Sequence, residues 1–210
     1  LMVWGMRVGV EFAELFEDRQ LYNDCKAAEK KLVKAASKVY KKFLASCPAP
    51  DAPGSKQVTA LMTITGLIDA PKADKEFLSI NGAQGFSTFY GYYMLEAMAM
   101  AGNYQGALDV IREYWGAMID LGATSFWEDF DINWIPNAAP IDELVPEGKK
   151  DIHGDCGAYC YVGFRHSLCH GWASGPTSWL SRHILGVEVI EPGCRQVRIT
   201  PHLGDLQWVK

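Results

Sequence analysis

The sequence predicts a mainly α-helical protein that ends in a short β-structured tail. Apolar residues recur with a period near 3.6 through the first two thirds of the chain, and short turns separate these stretches. After Gly186 the period changes to two. With 210 residues, of which 49% are hydrophobic, the chain is long enough to bury a core. Successive helices without a heptad seam favour a toroid or an array of helical hairpins.

The N-terminal part predicts three helices, at 8–19, 25–46 and 57–69. The segment 47–54 contains three prolines and a glycine and is therefore a loop, after which Ser55 is the expected cap of the third helix. The residues expected to face inward in the first two helices are Val8, Phe12, Leu15, Phe16, Leu32, Ala36, Val39, Tyr40, Phe43 and Leu44.

Further helices are predicted at 87–101, 104–121 and 168–185, the last ending at Gly186. Between them, residues 131–155 are irregular and acidic, and a loop of this length is typically functional or disordered. The expected inward face of the helix at 104–121 comprises Leu108, Ile111, Trp115, Met118 and Ile119. The alternating pairs of the β tail are Val187 and Val189, Val197 and Ile199, and Leu206 and Trp208.

Composition excludes several classes of function. The net charge of −5 and the helical spacing of the lysines between 26 and 42 make nucleic acid an unexpected partner. No apolar run approaches the ~18–20 residues that span a membrane, and the N-terminus lacks the features of a signal peptide. Six irregularly spaced cysteines are typical of packed free thiols, so both the cytoplasm and the periplasm remain open. No nucleotide-binding, zincin or GxSxG motif occurs, and no cofactor is expected.

The segment 122–130 is the first candidate for chemistry, because it places an acid among aromatic residues. Glu128 follows Phe126 and Trp127 and precedes Phe130. Sugar rings stack on aromatic side chains, and a carboxylate beside them is suited to acid–base work. The structural alternative is a turn that exposes its acids and buries its tryptophan.

Two further clusters follow in the sequence. The first combines Cys156, Cys160, His166, Cys169 and His170, but its spacing lacks the paired short knuckles of zinc sites, so no metal is expected. Adjacent residues of a helix point about 100° apart, which also argues against a Cys169–His170 nucleophile. The second cluster surrounds His170 and Trp172 with small residues, which predicts contact with a ligand as readily as a structural role.

Two of these segments together resemble the bacterial α-L-rhamnosidases, which are inverting glycoside hydrolases with an (α/α)6-barrel catalytic domain. The family's Gly-Ala-Thr-Thr/Ser-x-Trp-Glu motif matches residues 122–128, and its Ser-x-x-His segment matches residues 167–170. Residues 184–187 and the Glu-Pro-Gly turn at 191–193 resemble the passage into the family's C-terminal β-sandwich. The likeness is clearest over residues 84–210. It implies a portion of the helical barrel at 1–186 and the first strands of a sandwich at 187–210.

The resemblance implies that Glu128 is the general base and that His170 contacts the bound rhamnose. We count Trp127, Trp134 and Trp172 as further candidate sugar contacts. In an inverting enzyme the base lies ~6.5–9.5 Å from the acid, so that a water molecule fits between the base and the sugar. The expected partner is therefore a rhamnose-containing glycan or glycoside.

The family's general acid lies in an earlier Asp-rich stretch that has no counterpart in this sequence. We therefore expect the chain to be the C-terminal part of a larger barrel and to be inactive alone. A second copy of the chain is the candidate cover for the exposed faces of such a partial barrel. Two alternatives stay open, namely a non-catalytic carbohydrate-binding or scaffold fragment and a barrel glycosidase for a different sugar.

Overall fold

The computed structural model describes residues 1–46, 49–50, 52, 54–157 and 166–210. The predictions for Cys47, for Cys160 and for the side chain of Leu44 lie outside this part. Helices account for 54% of the described residues and strands for 7%, which confirms the mainly helical class. The helices are α1 Met2–Leu15, α2 Arg19–Ser46, α3 Ser55–Ile64, α4 Ala70–Ala73, α5 Gly91–Met100, α6 Tyr104–Asp120 and α7 Gly175–Trp179. The strands are β1 Ala138–Ala139, β2 Lys150–Asp151, β3 Val187–Glu191 and β4 Gln196–Ile199.

Helices α1 and α2 form a hairpin whose boundaries differ from the predicted ones. Helix α1 begins six residues earlier than expected, and α2 begins at Arg19 because an Asp18 carboxylate oxygen accepts a hydrogen bond from the Leu21 N–H at 2.9 Å. The tight connection between them places Glu17 at a φ of 56°. The connection between α1 and α2 is therefore shorter than the periodicity predicted, because Asp18 caps α2 and Glu17 adopts a left-handed turn conformation.

The buried face of α1 is not the face that the apolar pattern predicted. Phe12, Leu15 and Phe16 are exposed, whereas Val10 and Ala13 are buried. A strip of apolar side chains thus lies on the exposed surface of this helix.

The predicted helix at 57–69 ends earlier than expected, at Ile64, and a second helix begins only at Ala70. Helix α3 begins at Ser55, and its N-cap is Gly54 with a φ of 80°, so the prediction that Ser55 caps the helix is wrong. After Ile64 the chain turns through Gly66, also at positive φ, and the Asp69 side chain then caps α4 by accepting from the Lys72 N–H. Helix α4 continues as a wider π-helical turn, Asp74–Leu78.

Helices α5 and α6 form the centre of the core. Met94, Leu95 and Met98 of α5 are fully buried against Leu108 and Tyr114 of α6. Ile119, which the pattern predicted to face inward, is instead 69% exposed. Helix α5 also packs against α3 and α7, so every second helix from α3 to α7 is in contact with the next one.

The predicted helix at 168–185 begins later, at Gly175, and continues as a π-helical turn, Leu180–Ile184. Its predicted first residues form an irregular segment and a single 3₁₀ turn, Gly171–Ala173. This irregular segment lies beside residues 125–130, and the hydrogen bonds between the two create the site described below.

Strands β3 and β4 lie in the first two stretches where the alternation predicted β structure, and they form an antiparallel hairpin in which Val187 pairs with Ile199. The expected third strand around Leu206 and Trp208 is absent from residues 200–210, which carry no strand. This tail returns to α6 instead, where Arg112 forms two hydrogen bonds with the Asp205 carboxylate, at 2.8 and 3.0 Å. The predicted division at residue 187 remains a prediction.

The irregular segment 131–155 contains a 3₁₀ turn, Ile132–Trp134, and a short parallel pairing of β1 with β2. Within the described ranges, no helix has both the length and the apolar content needed to cross a membrane.

Candidate functional site

The site is built where residues 125–130 lie beside residues 166–170. The Glu128 N–H donates to the Ser167 carbonyl at 2.8 Å, and the His170 N–H donates to the Phe126 carbonyl at 2.7 Å. The Ser125 hydroxyl donates to the Leu168 carbonyl at 2.6 Å. These bonds join two segments that are about 40 residues apart in the sequence, and they set Glu128 and His170 side by side.

The backbone of Glu128 is held on its carbonyl side as well. Its carbonyl oxygen accepts from the Thr88 hydroxyl at 2.5 Å and from the Trp172 indole N–H at 2.8 Å. Together with the bond to Ser167, these contacts connect Glu128 to three parts of the chain. A side chain on a backbone held in this way is well positioned for chemistry, because little conformational freedom is left to lose.

The Glu128 carboxylate has one oxygen engaged and one facing His170. Oε2 accepts from the Ser167 N–H at 2.9 Å, and Oε1 lies 3.8 Å from His170 Nδ1. The carboxylate side chain is 12% exposed and that of His170 is 32% exposed. The pair is thus mostly covered but still reachable from solvent, as a site for an external ligand requires.

His166, the first described residue of the second segment, is a buried support of the site. The Asp129 N–H donates to its Nε2 at 3.0 Å, and its Nδ1 lies 3.3 Å from the Ile152 carbonyl. A carbonyl only accepts, so these two contacts together assign the ring proton to Nδ1. His166 is 1% exposed, and its role is therefore to brace residues 129 and 152.

Trp127 is not a surface residue, which corrects the expectation that its ring contacts a sugar. It is 0% exposed and meets Phe130 edge to face, with the ring centroids 5.8 Å apart. Its ring therefore belongs to the core under Glu128. Tyr114 anchors the same layer, because its hydroxyl donates to the Phe130 carbonyl.

Trp172 and Trp134 contact different residues of the site. Trp172 is 43% exposed, and its ring centroid is 4.3 Å from that of His170, so it borders the acid–histidine pair. Trp134 is partly buried, and its ring meets the edges of Phe130 and His166. It also lines a separate cavity of about 170 Å³ with Asp155 and Cys156.

Sequence reasoning missed Thr88 and Phe89. Thr88 holds the Glu128 carbonyl, and Phe89 packs against Trp172 with a centroid separation of 5.7 Å. The signal available in the sequence was the density of rings between residues 86 and 93, where five of eight residues are aromatic. Its periodicity predicted the beginning of a helix, and no local sequence pattern related this segment to Glu128.

The cysteine and histidine cluster does not form a metal centre among the described residues, where no group of three or more His, Cys, Asp or Glu side chains is placed to hold an ion. Burial raises the pKa of the Cys156 thiol, which disfavours a thiolate. Cys169 is exposed and unpaired with another cysteine, and its N–H donates to the Ser167 hydroxyl.

A larger cavity, of about 440 Å³, lies at the α1–α2 turn beside Glu14, Glu17 and Asp18. Its lining mixes these acids with Arg19 and Tyr22 and lacks the fixed, convergent groups found around Glu128, so we do not assign it as the site. Comparison of the chain with models of known protein families and with curated proteins finds no match in either case.

Proposed function

We propose that the chain binds a terminal α-L-rhamnoside at Glu128 and supplies the general base for its hydrolysis with inversion. The observation that supports this proposal is the held carboxylate. Glu128 is fixed through its own N–H, its carbonyl and Oε2, while Oε1 faces His170 beside the exposed ring of Trp172. A general base that activates a water molecule beside a bound sugar needs a carboxylate positioned in this way.

In the proposed reaction, Glu128 Oε1 accepts a proton from a water molecule as that water attacks the anomeric carbon. The bond from the anomeric carbon to the leaving oxygen breaks, and that oxygen takes a proton from the general acid. The imidazole of His170 donates a hydrogen bond to a sugar hydroxyl, and Trp172 covers an apolar sugar face. The resemblance implies that the acid belongs to a segment without a counterpart in these 210 residues.

We further propose that the helices belong to a barrel of helical hairpins. The contacts of α5 with α3 and α7 support this, because in a ring of hairpins the alternate helices form the inner layer. The site then lies where the segment before α5 meets the segment before α7, at the N-terminal ends of these two inner helices.

The base assignment is tested in a polypeptide that joins this chain to the acid-bearing segment. In Glu128→Gln the amide oxygen still accepts from Ser167, so rhamnose affinity measured by calorimetry should remain within about threefold, since hydrogen-bonding capacity is retained. Turnover of an aryl α-L-rhamnoside should fall by roughly 10²–10⁴-fold, the usual contribution of a general base.

Azide provides the control, because it attacks without deprotonation. It should restore cleavage in Glu128→Ala and yield a glycosyl azide of inverted configuration. Near-normal turnover of Glu128→Gln, or a product of retained configuration, would remove Glu128 from the role of base.

The second candidate function is carbohydrate binding without hydrolysis. The geometry of the site in the 210-residue chain supports this function equally well. For this chain alone we expect binding of L-rhamnose and no release of aryl alcohol. A panel of other monosaccharides in the same calorimetric assay tests the remaining alternative, a barrel glycosidase for a different sugar.

A further inference from the structure

The rings around the site continue away from Glu128 as a row. Trp172 is followed by Phe89, then by Tyr93 at a centroid distance of 5.8 Å, and then by Trp4 of α1 at 6.2 Å. Trp172, Phe89 and Trp4 are each between 38% and 43% exposed. We call these four side chains the aromatic row. It joins α1, the beginning of α5 and the 3₁₀ turn before α7 on one surface.

The far end of the aromatic row opens into a pocket of about 320 Å³, which is within the range of ligand pockets. Trp4 and Tyr93 line it together with three polar groups. Glu96 Oε1 lies 2.9 Å from His183 Nε2, and its other oxygen lies 3.7 Å from Arg182. The Arg182 side chain is 56% exposed, and Tyr92, which also lines the pocket, interacts with both Arg182 and Glu96.

This combination fits a sugar better than it fits an apolar protein segment. Glu96 accepts hydrogen bonds and Arg182 donates them, and such paired groups match the hydroxyls of a sugar. The rings supply flat apolar surface next to them, with little conformational entropy to lose on binding. The row is also continuous with His170 and Glu128, whereas the rings of Phe12 and Phe16 in α1 stack on each other.

We propose that the aromatic row and the Glu96–Arg182–His183 pocket are subsites for further sugar residues, so that the ligand of this protein is an oligosaccharide rather than a monosaccharide glycoside. This inference rests on the proposed function for the position of the terminal sugar at Glu128. The row then holds the sugars that follow, and the pocket holds the most distant one.

The test is a calorimetric series on the 210-residue chain with L-rhamnose and with α-linked rhamnose disaccharide, trisaccharide and tetrasaccharide. Affinity should rise with chain length. Trp4→Ala should lower tetrasaccharide affinity about tenfold, in line with the loss of an aromatic anchor, and leave the affinity for L-rhamnose within about twofold. Trp208→Ala, which removes a ring that is 73% exposed outside the row, should change neither affinity.

Phe89→Leu serves as a second variant in case Trp4→Ala fails to fold, because it removes a ring of the row but keeps apolar volume. Rhamnose binding without any gain from chain length overturns the inference and leaves the proposed function standing. Tight binding of a different oligosaccharide that is sensitive to Trp4→Ala supports the row and counts against rhamnose as the sugar. If Trp4→Ala alters only the sedimentation of the protein, the row is a protein interface and the inference is wrong.

Discussion

At the scale of single residues, the position of Glu128 depends on the neighbours that hold its backbone. Thr88 and Trp172 hold its carbonyl, and one layer below, Tyr114 holds the carbonyl of Phe130. Tyr114 is 0% exposed, and burial raises the pKa of its hydroxyl well above the ordinary value of 10.0. The layer under the site is therefore stable only while this phenol keeps its proton.

Tyr114→Phe tests this residue. The Phe130 carbonyl loses its donor, so the free energy of unfolding in urea at pH 7 should fall by about 1–3 kcal/mol. Because the pKa of Tyr114 is higher in the folded state than in the unfolded state, the native protein should lose stability as the pH rises above 10.0. The variant should lose less over the same range, and an equal loss in both proteins would contradict the assignment.

At the scale of elements, the packing of the β3–β4 hairpin against the helical part depends on Gly186, which ends the helical stretch that begins with α7. The Thr200 N–H donates to the Gly186 carbonyl at 2.9 Å, so the two segments approach closely. Gly186 has a φ of +75°, and a Cβ on it would lie 2.0 Å from the Thr200 carbonyl oxygen. Both the conformation and the close approach exclude a side chain at this residue.

Gly186→Ala should therefore lower the free energy of unfolding by at least ~2 kcal/mol, from backbone strain together with the clash. Gly116→Ala is the matched control. It lies inside α6, and a Cβ there would meet nothing within 4 Å, so the same change should stabilise the protein by ~0.5–1 kcal/mol. Chemical denaturation of both variants measures the contrast, and shifts of the same sign would refute it.

At the scale of the whole molecule, the exposed apolar surface of α1 sets the expected solution behaviour. Phe12 is 52% exposed, and Leu15 and Phe16 are each 72% exposed, on one end of the α1–α2 hairpin. An apolar patch of this kind typically marks an interface. A second copy of the chain remains the predicted cover, as for the faces of a partial barrel.

We expect the 210-residue chain to self-associate in analytical ultracentrifugation and to bind a dye that reports exposed apolar surface. Leu15→Lys together with Phe16→Lys should weaken the association at least about tenfold, because the patch then carries repelling charges. Leu144→Lys, at a residue that is 95% exposed in the loop, is the control and should leave the association unchanged. A monomer without dye binding would show that the patch needs no partner.

Local sequence was sufficient for the type of most elements and for the choice of a candidate carboxylate. The 3.6-residue period located α5 and α6, the change to period two located β3 and β4, and an acid among aromatic residues singled out Glu128. These signals are local, since they depend on neighbours within a few residues. Long-range contacts decided the rest. They buried Trp127, exposed Phe12, placed residues 168–170 outside the predicted helix and beside residues 125–130, and brought Phe89 to Trp172. The pattern shows that a face is apolar, but which apolar face is buried depends on the elements that pack against it.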